Sequence, residues 1–278
     1  MSEQQGRLWV VATPIGNLDD LSTRAGTVLR QVPLVAAEDT RHSSPLLARI
    51  GSRARTVSLH EHNEREQVTR LVELLLQGSD IALVSDAGTP LISDPGFRLV
   101  RAAREAGIEV SPVPGPCAAI AALSVAGLAS DRFVFEGFLA AKASARRQRL
   151  AELAADPRTL IFYESGHRIV ESLRDMGTVF GAQRQVVVAR ELTKVFETVL
   201  SGSLEEIGAR VDADPNQQRG EFVVLIAGAS GEDASATLAE GRRVFKLLCE
   251  EMPPARAARM AARITGAPRK QLYAPGAE

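Results

Sequence analysis

The residues able to do chemistry fall in short runs, each closing an apolar segment. Glu38, Asp39, Arg41 and His42 follow LVAA, and His60, His62, Asn63 and Glu64 follow TVSL. Asp86 follows IALVS, Glu164 to Arg168 follow TLIFY, and Glu191 with Lys194 follows QVVVAR. Carboxylates and imidazoles can move a proton, while Arg and Lys can steady an anion. A bland role stays open for each: a histidine satisfied by hydrogen bonds, or Glu191 with Lys194 as an exposed ion pair. His60 and His62 lack a third ligand in a motif, so no metal is expected.

Three loops rich in Gly and Pro add ligand-binding capacity. In Thr13-Pro14-Ile15-Gly16-Asn17 the glycine stands alone, without GxGxxG or Walker spacing, so by itself it reads as a strand-to-helix turn. The run from Ser85 to Gly96 is too long for a simple turn. Its Gly88 would let backbone approach a ligand, and Asp86 could accept ligand hydroxyls or amines, face a cationic centre, or hold an Asx turn. Val113 to Ala118 offers helix N-terminal N–H groups to a carboxylate or carbonyl. Three such loops on one sheet edge would outline one crevice.

The elements needed to position these loops alternate short apolar runs with amphipathic segments, which is the α/β rhythm. Helices are predicted near 21–32, 43–50 and 68–75, and from an Asp94 cap with Pro95 in the first turn to about 106. A second α/β segment, predicted to form a mixed sheet, carries a basic helix over 144–155. That helix holds Arg146, Arg147 and Arg149 beside Lys142, either a solvated face or a phosphate contact. Residues 229–236 have linker composition. The expected domains are 1–115, 116–229 and a basic helical module over 237–278. Within that module Arg256, Arg259 and Arg263 form one stripe, with Ala257, Met260, Ala261 and Ile264 on a separate apolar face.

The 278 residues carry 33 Lys and Arg against 34 Asp and Glu, with 45% hydrophobic residues, which excludes disorder and collagen-like repeats. Two distant cysteines, Cys117 and Cys249, exclude a disulfide framework and point to a reducing cytoplasm. The polar N-terminus shows no signal peptide. Residues 110–130 are uncharged, but Pro112, Pro114 and Pro116 break them, so no membrane span is expected. Charge is uneven: residues 242–273 hold eight basic and two acidic side chains in a chain of net charge −1. An anionic partner is therefore as plausible there as a solvated face.

With ATPIGNLDDLSTRA, AAEDTRHSSPLL, HEHNE, VSDAGTPLISDPG, VPGPCA, FEGFL, TLIFYESGHR, ARELTKVFE, GEFVVLIAG and AARITGAPRKQLY in order, nearly the whole chain resembles the tetrapyrrole methylase superfamily. TPIGN and the basic tail favour its branch of ribosomal RNA ribose methyltransferases. Ala140 stands where relatives commonly have Pro. The resemblance implies two α/β domains with a cofactor cleft between them, plus the helical C-terminal module. It implies S-adenosyl-L-methionine touched by Pro14, Asp86, Gly88, Thr89, Cys117, Ala118, Tyr163, Ala189 and Glu221. The target implied is the ribose 2′-hydroxyl of a decoding-centre cytidine in 16S rRNA, within the small ribosomal subunit, methylated by a homodimer. On that view Glu38, Asp39, Arg41, His60, Asn63, Glu64, Glu191 and Lys194 form the substrate side, with a carboxylate or His60 as base. Lys142, Arg146, Arg256, Arg259 and Arg263 would touch RNA. The rivals are a methylase of a corrin or porphyrin precursor and a non-catalytic RNA-binding assembly factor.

Overall fold

The computed structural model describes residues 5–60, 63–229 and 231–273. Contacts divide the chain into two compact units. The first runs to Ala121 and takes in Leu192–Val195; the second comprises Ala122–Glu191 and the chain from Phe196 onward.

In the first unit, strands β1 (Leu8–Val11), β2 (Leu34–Ala37), β3 (Arg55–Ser58), β4 (Ile81–Val84) and β5 (Val110–Val113) form a sheet in the order β3-β2-β4-β1-β5, every pairing parallel. Helices α1 (Thr23–Gln31), α2 (Thr40–Arg49), α3 (Glu64–Leu76) and α4 (Phe97–Glu105) connect the strands. The two-residue period of β4 shows why it is apolar throughout. Ile81 and Leu83 pack with Leu71 and Leu75 of α3 and Leu99 of α4, whereas Ala82 and Val84 pack with Val28 and Leu29 of α1 and Leu47 of α2. Helix α5 (Ala118–Ala126) follows β5 and spans the division between the units.

The second unit is built on β6 (Phe133–Phe138), β7 (Thr159–Ser165), β8 (Gln185–Arg190), β9 (Thr198–Ser203) and β10 (Glu221–Ile226), in the order β6-β7-β10-β8-β9. Only β6 and β7 pair in parallel; the other pairings are antiparallel, so this sheet is mixed as expected. One face buries Phe162, Val188, Phe222 and Val224 against α6 (Ala143–Leu153), α7 (Ile169–Phe180) and α8 (Leu204–Ala213). Ser203 and Glu206 close a reciprocal capping box on α8. The chain ends, among the described residues, in α9 (Gly231–Glu251), α10 (Pro254–Thr265) and a short 3-10 turn.

Three sequence expectations are corrected. Helix α4 starts at Phe97, with Gly96 at φ 119° as its N-cap, and not at the Asp94-Pro95 pair. The buried Glu64 supplies the missing acceptor from 32 residues away, receiving Gly96 N–H and Arg98 N–H at 3.2 Å. The expected linker over 229–236 is helical backbone from Gly231, because small-residue composition does not oppose a helix when alanine is its best former. On α10 the buried residues are Ala257, Ala258 and Ala261, and Ala258 and Ala261 pack toward Leu238, Val244 and Leu248 of α9. Met260 and Ile264, expected on that side, are 45% and 61% exposed, since alanines let the helices approach closely and larger residues turn outward.

Candidate active site

The loops that follow β1, β4 and β5 lie at the C-terminal edge of the first sheet, where open parallel sheets hold ligands. Hydrogen bonds tie all three together. Thr13 N–H donates to the Gly88 carbonyl at 2.8 Å, Gly88 N–H returns a bond to Thr13 at 3.1 Å, and the Thr89 hydroxyl donates to the Pro116 carbonyl at 2.9 Å. Gly88 has φ +82°, and a Cβ there would stand 3.3 Å from Ile15 Cγ2 and 3.7 Å from the Pro116 carbonyl oxygen. Only glycine fits this conformation without strain. Pro14, Asp86, Gly88, Thr89, Cys117 and Ala118 are thus carried on one connected set of loops.

Asp86 lies just past β4. One carboxylate oxygen accepts the Asp39 N–H at 3.0 Å, and the other has no hydrogen-bond partner among the described residues. A carboxylate with open acceptor capacity beside a glycine that leaves room for a ligand suits ribose hydroxyls, an amine or a sulfonium. The residues present therefore fit S-adenosylmethionine.

Sequence reasoning missed Asp94. It was assigned to a helix cap, yet it lies near Glu38 and Asp86 and is hydrogen-bonded to Ser85. Burial, then the charge of Glu38, pushes its carboxyl up to about 6, against the Ser85 bond that lowers it. Two acids bracketing a loop too long for a turn were the available signal. The Arg41 guanidinium and N–H beside Asp39 hold that carboxyl down at about 2, which makes Asp39 a weak base. Arg41 itself is 90% exposed.

Other expected substrate-side residues are committed elsewhere. Glu64 is buried beneath the start of α4 and ion-paired with Arg98 at 3.3 Å, so it is a structural clamp. The Asn63 side chain accepts the His60 N–H at 2.9 Å and donates to the Ser58 carbonyl at 2.9 Å, which shapes the loop after β3. His60 opens that loop, and its carbonyl accepts from Asn63 and Glu64. His62 lies outside the described residues.

In the second unit, Tyr163 and Ala189 flank Val223 in one row across β7, β10 and β8. The Tyr163 ring meets Phe135 and Phe138 edge-on, with centroids 4.9 and 5.6 Å away. Glu221 begins β10, where its N–H donates to the Glu191 carboxylate and its carbonyl accepts the Glu191 N–H, both at 2.9 Å. Glu191 and Thr193 have φ 50° and 66°, and Leu91 and Ser93 in the β4 loop have 74° and 68°. Non-glycine residues in this region store strain, which concentrates at functional loops. Within the first unit, the Lys194 stem and the Thr193 hydroxyl occupy the space a Gly16 Cβ would need. That packing explains the lone glycine better than a phosphate loop does.

The RNA-side expectations divide. Lys142 is exposed at the start of α6, and Arg256, Arg259 and Arg263 are exposed on α10. Arg146 is a correction: its side chain is 2% exposed, with Nε 2.7 Å from Asp175 and a second contact to Glu171 at 3.5 Å. It shares the inner face of α6 with Leu150 and Leu153 and cannot reach a phosphate.

Comparison with known proteins shows the family. The family model for tetrapyrrole (corrin/porphyrin) methylases matches residues 7–208, and one for the RsmI C-terminal HTH domain matches 235–276. Proteins named ribosomal RNA small subunit methyltransferase I are similar over nearly the full length. The one from Xylella fastidiosa strain Temecula1 is 60% identical, covering 96% of this chain and 98% of its own. Those from Pseudomonas aeruginosa and Escherichia coli O157:H7 are 58% and 52% identical, covering 96% and 97% of this chain and 95% and 94% of theirs. Among solved structures, the methyltransferase CobJ aligns with TM-score 0.59 at 22% identity over 81% of this chain and 95% of its own. A Thermus thermophilus uroporphyrin-III C-methyltransferase complexed with S-adenosylhomocysteine aligns with TM-score 0.57 at 19% identity, over 80% and 97%.

Proposed function

We propose, because this chain belongs to the ribosomal RNA small subunit methyltransferase I family of tetrapyrrole methylases, that it methylates 16S rRNA on the ribose 2′-hydroxyl of a decoding-centre cytidine. The observation that carries this reading is the match to that family along both the methylase units and the basic C-terminal helices. S-adenosylmethionine, when bound, supplies a methyl group that is already strongly electrophilic. Asp86, Gly88, Thr89 and the Pro116–Ala118 turn would hold it from the first unit; Tyr163, Ala189 and Glu221 are proposed contacts from the second.

The chain's main task is then to align the acceptor oxygen, an effect worth up to about 7 to 11 kcal/mol in well-oriented cases. Transfer would form the oxygen–methyl bond as the sulfur–methyl bond breaks and S-adenosylhomocysteine leaves, while the hydroxyl proton would pass to a basic side chain of the protein. Glu38 and Asp94 are the proposed proton acceptors, with His60 beside them in the candidate set. Arg41 and Lys194 would steady phosphate, as would Lys142 and the α10 arginines. A decoding-centre nucleotide needs its folded surroundings for shape recognition, so the assembled small subunit in the cytoplasm is the proposed substrate. The chain is proposed to act as a pair of protomers, which a monomer mass in sedimentation equilibrium would contradict.

Methyl-labelled S-adenosylmethionine, offered with unmodified small subunits and separately with a corrin or porphyrin precursor, tests the substrate class. Label is expected in RNA; label in the precursor would overturn the reading, and a cofactor-binding chain that labels neither would favour a binding factor. Glu38→Gln and Asp94→Asn should each lower the single-turnover rate by about 10²- to 10⁴-fold. Wild-type rates in both would remove their proton-transfer role.

Asp94 also predicts a pH effect on stability. Its folded-state value of about 6 lies above the ordinary 3.8, so the folded state binds the proton more tightly. The penalty of its charge is absent below about 3.8 and complete above about 6. Asp94→Asn should therefore stabilise the protein at pH 8 by about 1 kcal/mol after allowing for partial exposure, and by little at pH 4. Denaturant unfolding at the two pH values measures this, and an equal effect at both would contradict it.

A further inference from the structure

Strand β8 lies between β10 and β9, and its last residue, Arg190, stands opposite Phe222 on one side and Thr198 on the other. Strand pairing with β9 stops there, but the side chain of Arg190 continues the work of the backbone. Its buried guanidinium spans both neighbours: Nε donates to the Arg219 carbonyl at 2.6 Å and Nη1 to the Phe196 carbonyl at 2.9 Å. Arg146 and Arg168, in the same unit, each combine a carbonyl with a carboxylate. Both acceptors of Arg190 among the described residues are main-chain oxygens, one just ahead of β9 and one just ahead of β10. A guanidinium committed in that way fixes the shape of loops.

The loop most affected is 191–197, which joins β8 to β9 as a hairpin. Its outgoing end is held by Glu191, whose N–H and carboxylate both bond Glu221 at 2.9 Å. Its return end has no such packing, because Val195 and Phe196 are 92% and 70% exposed. The Phe196 carbonyl is therefore held by Arg190 and not by burial of the Phe196 ring. Between these two anchors lie Leu192–Val195, Lys194 among them. Glu191 and Thr193 have φ 50° and 66°, a region where non-glycine residues persist only when their surroundings over-determine them. Releasing one anchor lets the loop relax toward unstrained backbone and carries Lys194 with it.

We propose that Arg190 is a positioning residue for methyl transfer: by holding the Phe196 carbonyl it keeps the 191–197 loop in its strained form and so sets where Lys194 meets the substrate phosphate. The proposal rests on the RNA-methyltransferase reading, in which Lys194 steadies phosphate, and adds the side chain on which that placement depends.

A double-mutant cycle on the full chain tests it, read as single-turnover methyl transfer from saturating labelled S-adenosylmethionine to small subunits lacking the modification. Arg190→Gln and Lys194→Gln should each lower the rate by about 10- to 100-fold, the range that a misplaced contact can cost. The double variant should lie within about threefold of the slower single variant, because the two residues act as one unit. Should Arg190→Gln fail to fold, Arg190→Lys, which keeps the charge without the planar fork, takes its place in the cycle. Thr198→Val is the control for stability alone. It removes the neighbouring hydroxyl bond to Gln217 at 3.2 Å and touches neither carbonyl, so it should lower Tm and leave the rate at the wild-type value. Affinity for S-adenosylhomocysteine should be unchanged in the Arg190 variant, since Glu221 is held separately by Ser165 and Glu191. Rate losses that multiply in the double variant, an equal loss in Thr198→Val, or a loss carried by cofactor affinity would each overturn the proposal. Wild-type transfer separates the two levels: transfer to RNA with a multiplicative cycle sinks only the role of Arg190, whereas no transfer to RNA sinks the reading beneath it.

Discussion

Replacing Gly88 by valine should weaken S-adenosylhomocysteine binding by about 30- to 100-fold, or about 2 to 3 kcal/mol, while leaving the protein folded. Two costs combine. A β-branched residue at φ +82° is strained by about 1 to 2 kcal/mol, and its Cβ would press on Ile15 at 3.3 Å. Relief of either requires the β4 loop to move. That movement breaks the paired Thr13 and Gly88 hydrogen bonds and draws Thr89 from the Pro116 carbonyl, so all three ligand loops lose their register. Gly107→Ala is the control. Gly107 has φ +75°, but nothing lies within 4 Å of its Cβ direction, so the change should cost stability without touching affinity. Isothermal titration calorimetry on both variants reads the difference. Equal affinities for Gly88→Val and wild type would remove the β4 loop from the cofactor site.

Arg146→Ala should destabilise the protein by about 3 to 5 kcal/mol, because it strips the partner from a buried carboxylate. At about 2 to 4 °C per kcal/mol for a unit of this size, Tm should fall by about 6 °C or more. The guanidinium is 2% exposed and bonds Asp175 at 2.7 Å and the Ala141 carbonyl at 3.2 Å; Arg147, 3.6 Å from Asp175, softens the loss only in part. Arg146→Met with Asp175→Leu should recover much of the stability, since a buried ion pair can often be replaced by apolar residues. Calorimetry gives the Tm, and RNA titration of the folded variants should show an unchanged salt slope. A normal Tm with a slope lowered by about one charge would return Arg146 to the RNA surface.

Arg146 also shows how far the sequence could be read. The basic run over α6 suggested a phosphate-binding face, yet Arg146, Leu150 and Leu153 share the i, i+4, i+7 row that packs inward. That spacing was legible; the acids on α7 that make a buried arginine tolerable were not. The alternation of strands and helices was readable because the central strands β1, β2 and β4 are apolar on both faces. The ligand loops were readable from glycine and proline at strand ends. Local signals failed where a distant residue supplied the function. Asp94-Pro95 resembles any helix start, but Glu64 caps α4 across 32 residues and leaves Asp94 to the acidic group with Glu38 and Asp86. Glu64 and Asn63 then look reactive in sequence only because their partners are not neighbours. Met260 and Ile264 follow helical apolar spacing, yet alanines suffice for the α9 contact and turn them to solvent.

The central claim, methylation of a cytidine ribose in 16S rRNA, is met most directly by the identity of the methylated nucleoside. Small subunits lacking the modification would be incubated with the protein and labelled S-adenosylmethionine, then digested to nucleosides and resolved by mass spectrometry. The account predicts a single labelled product, 2′-O-methylcytidine, from the decoding-centre segment. Label on a base, on another nucleoside, or in no RNA product at all would contradict it.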